Sequence, residues 1–166
     1  MTGLSNDPDR VTVQRLIPAP ASAIFDLLAD PGRHAEIDGS GTVQGPTSSG
    51  SRRLALGESF GMSMRMGLAY STRNVVVEFE PDRVIAWQTL AAAPLDKIVT
   101  GRVWRYELEP VDGGTLVRET WDISREAMLS RPLVRRSMAA STRQNMSRTL
   151  ERIEQVLAGQ SPVAPD

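Results

Sequence analysis

Residues 102–123 read RVWRYELEPVDGGTLVRETWDI. Trp104, Tyr106 and Leu108 alternate with Val103, Arg105 and Glu107. Val117, Trp121 and Ile123 alternate in the same way with Arg118, Thr120 and Asp122, the period of two expected of half-buried strands. Asp112-Gly113-Gly114 between them is turn chemistry, so the stretch predicts an antiparallel hairpin. The same period runs upstream. Met62, Met64 and Met66 alternate with Ser63 and Arg65, and Val75, Val77 and Phe79 with Val76 and Glu78. Ile85 and Trp87 share a face after the Pro81-Asp82 turn. Six strand-like segments in all run to about Ile123. With short turns and no βαβ alternation, they predict a meander.

Helices flank this region. Val11, Val13 and Ile17 mark a first strand that Pro18 and Pro20 stop. Ile24, Phe25, Leu27 and Leu28 then have helical spacing, so a helix is expected over 21–29. Asp30-Pro31 is an N-cap and first-turn pair for a second short helix, which runs out at Asp38-Gly39-Ser40-Gly41. After the hairpin, Pro132 fits the first turn of a long helix that continues to Leu157 and ends at Gly159. Met138, Thr142, Met146, Thr149, Ile153 and Val156 form one stripe of it. The expected fold is α+β: a seven-stranded, curved antiparallel sheet wrapped round a long C-terminal helix, with two short helices after the first strand. One domain is expected over 10–158, with flexible termini at 1–9 and 159–166.

Composition narrows the function classes. The chain has 166 residues, 40% of them hydrophobic, enough for a core. With no cysteine it has neither disulfides nor thiol chemistry, which fits a cytoplasmic location. A net charge of −1 argues against nucleic-acid binding, which needs a basic excess. The start, MTGLSNDPDR, lacks the basic and apolar regions of a signal peptide, and no window predicts an integral membrane segment. The single histidine, His34, is expected to be exposed in a short polar helix, which disfavours a histidine-dependent triad or metal site. Gly39-Ser40-Gly41 with Gly45 misses the dinucleotide spacing, and no phosphate-loop Gly-Lys-Ser/Thr is present, so no cofactor and no metal are expected.

The candidate site follows from the faces. Met62, Met64 and Met66 on one strand, with Met138 and Met146 on the last helix, would give a flexible, polarizable surface suited to an apolar ligand. Trp87, Trp104, Tyr106 and Trp121 would supply aromatic walls. Each of these side chains also reads as ordinary core. The polar exceptions are Glu119, in parity with Val117 and Trp121, and Arg102, in parity with Trp104 and Tyr106. A buried carboxylate must be paired or raise its pKa, and Arg102 is the expected partner. Arg73 shares parity with Val75 and Val77. Arg135, on the stripe of Met138 and Thr142, is a candidate anchor for an anionic head at a cavity mouth, or else a side chain reaching solvent.

The order of elements resembles that of the START-related polyketide cyclase/dehydrase and lipid-transport superfamily, with its helix-grip fold. IPAPASAIFDLLADPGRHAEIDGSG at 17–41 is similar to the start of actinobacterial members, and TLERIEQVL at 149–157 to the end of their long helix. The resemblance implies a deep cavity under the last helix and carries no catalytic residue over. The leading expectation is a protein that binds or transports a hydrophobic small molecule, such as a lipid, isoprenoid or polyketide. One alternative is a polyketide aromatase/cyclase or dehydratase, with Glu119 or Tyr106 moving protons. Another is an interaction module with a vestigial cavity. A homodimer, through a sheet edge or the Asp38–Gly41 loop, stays open.

Overall fold

The structure of the protein, a computed structural model, describes residues 7–48, 52–93, 96–97 and 99–160. Of the termini expected to be flexible, 1–6 and 161–166 lie outside the described residues. The sheet comprises β1 (Arg10–Ile17), β2 (Val43–Pro46), β3 (Ser59–Met66), β4 (Leu68–Glu80), β5 (Val84–Ala91), β6 (Arg102–Val111) and β7 (Gly114–Asp122). Helices α1 (Ala21–Leu28) and α2 (His34–Ile37) follow β1, and α3 (Arg131–Gln160) closes the chain. All neighbouring strands are antiparallel, in the order β1-β7-β6-β5-β4-β3-β2. β2 to β7 form the expected meander, and β1 closes beside β7 rather than beside β2. The α1–α2 segment therefore has to cross the open side of the sheet, where it packs with α3. This is the helix-grip arrangement expected from the order of elements.

Local chemistry sets the boundaries. Asp30 caps the turn after α1, its Oδ1 accepting from Gly32 N at 2.9 Å with Pro31 in the first position. A 3-10 turn (Pro31–Arg33) precedes the single α-helical turn of α2. Gly113, with φ +88°, occupies the left-handed region in the β6–β7 turn, where a Cβ would be strained. Gly159, expected to end α3, lies inside its last turn.

One strand departs from its expected face. β4 shifts register against β5 between Val76 and Glu78, so Val77 is a bulge residue. Before the bulge the inward residues are Thr72, Asn74 and Val76; beyond it Phe79 joins the core. Val75 thus lies on the opposite face from Val76. Arg73 points out with it, exposed and donating to Ser59 Oγ at 3.2 Å. An inserted residue breaks simple alternation, which is why Arg73 leaves the candidate set.

Among the described residues the apolar core has two parts. Ile24, Phe25, Leu27 and Leu28 of α1 pack with Leu150 and Ile153 of α3 and with Ile85, Leu108 and Val117 of the sheet. A smaller cluster joins Val11, Trp121 and Ile123 to Val134 in the first turn of α3 and to Met146 at its middle. Between these anchors, the middle of α3 faces a hollow.

Candidate ligand-binding site

That hollow is a cavity of about 340 Å³, within the range of small-molecule sites. Met62, Met64 and Met66 of β3 border it as expected. They grade from buried Met62 to Met66, 63% exposed beside the β3–β4 turn. Trp87, Trp104 and Tyr106 form the sheet wall, and Met138, Thr142 and Met146 the helix wall. Arg102 and Glu119 border it too. Two expected residues do not. Trp121 is buried behind the wall, its ring 6.5 Å from that of Trp104, because Val11 and Val134 cover its face of β7. Arg135 sits one turn before Met138, where α3 has not yet reached the cavity. Its Nη1 lies 3.2 Å from Asp9, which also pairs with Arg131 at 3.4 Å.

Glu119 is not paired with Arg102. The β6–β7 register sets Tyr106 directly opposite Glu119, while Val103 pairs with Asp122. Arg102 therefore lies four residues up the strand from Tyr106, roughly 13 Å away at ~3.3 Å per residue. The Tyr106 hydroxyl donates to Glu119 Oε1 at 2.8 Å, and Oε2 is buried with no hydrogen-bond partner among the described residues. Burial pushes the Glu119 carboxyl up to about 8. The Tyr106 hydrogen bond opposes that shift, and the charge of Asp38 adds to it. Tyr106 itself is raised well above the ordinary phenol value, by burial first and then by Glu119. Glu119 is therefore a neutral acid at neutral pH.

Arg102 pairs instead with Glu126, in the β7–α3 connection. Its Nε lies 2.7 Å from Glu126 Oε1, and both side chains are almost fully buried. Glu126 Oε2 also accepts from Thr100 N at 2.8 Å and from the Thr100 hydroxyl. The pair ties the entry to α3 onto β6 at the cavity wall. Glu126 was absent from the sequence-derived set, though it is the sole acid between Asp122 and Glu151.

His34 corrects another expectation: it is buried, not exposed. Its Nε2 lies 2.8 Å from the Leu28 carbonyl, and its ring stacks on Trp87 with centroids 5.1 Å apart. Burial lowers its pKa, so the ring stays neutral. His34, Trp87 and Tyr106 make a continuous aromatic run, with Phe60 edge-on to His34 and Trp87. A polar ladder on the β4–β5 wall was also missed, because the β4 bulge hides its parity. There Thr89 donates to Asn74 Oδ1 at 2.6 Å, and Asn74 Nδ2 reaches Thr72 Oγ1 at 3.4 Å. Among the described residues, no group of three or more His, Cys, Asp or Glu is placed to hold a metal, and no helix is long and apolar enough to cross a membrane.

The long helix gripped by an antiparallel sheet has counterparts among known proteins. The family model described as polyketide cyclase/dehydrase and lipid transport matches residues 8–158. The chain belongs to that family. An uncharacterized Mycobacterium tuberculosis protein is 35% identical over 124 residues, covering 74% of this chain and 51% of its own length. The chain thus spans about half the length of the curated relatives it matches. The solution structure of an Arthrobacter aurescens protein superposes with a TM-score of 0.74 at 14% identity, covering 95% of this chain and 92% of that one. DynU16, from the dynemicin biosynthetic locus, gives 0.65 at 16% identity, covering 93% of this chain and 49% of its own. At these identities the structural likeness concerns the fold.

Proposed function

We propose that this protein binds a hydrophobic small molecule, of lipid, isoprenoid or polyketide type, in the cavity beneath α3. The observation that carries the reading is the cavity lining: methionines on β3 and α3 face an aromatic wall of Trp87, Trp104 and Tyr106. Methionine adapts to irregular ligand shapes, and the aromatic rings supply rigid contact area. Burying about 300 Å² of ligand apolar surface would gain a gross ~7 kcal/mol at ~25 cal/mol per Å², before the cost of ordering the ligand. Native mass spectrometry of the protein as purified, followed by organic extraction, tests the reading. A stoichiometric apolar adduct is expected. A bare protein mass, together with failure to take up neutral apolar dyes, would overturn it.

One observation favours a second reading. Glu119 is a neutral acid hydrogen-bonded to Tyr106 at the cavity wall, a pair suited to proton transfer in a cyclase or dehydratase. Turnover of a model poly-ketone that disappears in Glu119→Gln, with binding retained, would support that reading over carriage alone.

A further inference from the structure

The polar groups bordering the cavity are sorted by charge. Asp38, in the loop after α2, has its carboxylate taken up by Ser40 and by the backbone N–H of Val43. Arg102 on β6 is committed to Glu126. His34 on α2 is neutral and bonded at Nε2 to the Leu28 carbonyl. α3 contributes Met138, Thr142, Asn145, Met146 and Thr149, none of them charged. Tyr70 on β4 is a phenol that burial keeps neutral. That leaves the Glu119 carboxyl, with Tyr106 on one oxygen and no partner on the other among the described residues.

A neutral carboxyl has one O–H to donate. Since Tyr106 already donates to Oε1, the proton belongs on Oε2, the atom without a partner. A buried donor left unmatched costs free energy that a ligand acceptor would recover. An anionic ligand group would meet a different environment. Glu119 and Asp38 would be its neighbours, and the guanidinium at the wall is already neutralised by Glu126, so its desolvation would go uncompensated. A ketone, ester or hydroxyl oxygen carries no charge and needs only one donor.

Resting on the reading that the cavity holds an apolar small molecule, we propose that the ligand is uncharged and carries an acceptor oxygen toward which the buried Glu119 carboxyl turns, so that carboxylates are selected against. The same chemistry excludes free fatty acids as the preferred cargo and admits ketones, esters and alcohols.

Displacement of the neutral dye Nile red from the full chain by a matched pair, 2-dodecanone and dodecanoate, tests the proposal at neutral pH. The ketone should compete at least tenfold more strongly than the carboxylate. Glu119→Leu should remove most of that ratio by weakening the ketone, while Glu119→Gln, whose amide N–H₂ donates, should keep it. Raising the pH past the Glu119 value of about 8 should weaken the ketone in the unsubstituted protein and not in Glu119→Gln. Dodecanoate competing as well as the ketone would overturn the selectivity and leave the container reading intact. So would a ratio unchanged in a folded Glu119→Leu protein. If Glu119→Leu does not fold, the ratio in the unsubstituted protein and the pH response of Glu119→Gln decide the matter. Failure of the dye and both competitors to bind would remove the container reading and this proposal together.

Discussion

Glu119 shows how burial alone sets the chemistry of one residue. Its carboxyl rises from the ordinary 4.5 to about 8, so between those values the native chain keeps a proton that the unfolded chain has lost. Stability should therefore fall as pH rises from about 5 to about 8, by roughly 3–5 kcal/mol for this group. In Glu119→Gln that loss should vanish, so the stability of the variant minus that of the unsubstituted protein in urea unfolding rises with pH. A gap constant across that range would refute the burial account. His34 works in the opposite direction: burial lowers its pKa, so its contribution is lost as pH falls below the unfolded value of 6.5. At this scale the sequence was partly legible. The parity of Glu119 placed it inward, but its partner was decided by register, which pairs it with Tyr106 rather than Arg102. His34 was misread because a four-residue helix has too little pattern to reveal a buried face.

The elements are joined by a few close approaches. Gly39, after α2, lies so near α3 that an added Cβ would stand 2.2 Å from the Asn145 carbonyl oxygen and 2.5 Å from Thr149 N. Its own N–H donates to Thr149 Oγ1 at 3.0 Å. Gly39→Ala should push α2 away from α3 and cost about 1–3 kcal/mol. Gly159→Ala, which meets nothing within 4 Å near the end of α3, should be neutral or gain a few tenths of a kcal/mol. Thermal unfolding of the two variants checks both, and equal melting temperatures would refute the close-packing argument. The Arg102–Glu126 pair fastens the other end of α3. Glu126→Ala should cost about 3–5 kcal/mol in chemical denaturation, because it strips Arg102 of a buried counter-ion. A loss below about 1 kcal/mol would mean that water already reaches the pair. The sequence showed these helices and strands through their periods, but not their joints, since a glycine packed against a helix reads the same as a loop glycine.

For the whole molecule, the consequence of the fold is a hollow held open between two packed clusters. Thr142, on the cavity-facing stripe of α3, is buried at the wall. Thr142→Phe should place a ring in the cavity, preserve cooperative unfolding and weaken Nile red binding at least tenfold. Unchanged dye binding in a folded variant would locate the dye elsewhere. By itself the sequence determined the α+β class, the meander, the long helix and most of the inward residues, because alternation and helical spacing are local records of which face meets the core. It also carried the methionine and aromatic lining, for the same reason. Only the tertiary structure decided that Trp121 and Arg135 miss the cavity, that His34 and the Thr72–Asn74–Thr89 ladder reach it, and that Arg102 is neutralised by Glu126. Those outcomes depend on strand register, on a one-residue bulge and on where a helix crosses a sheet. They are distances between residues remote along the chain, which no local pattern encodes.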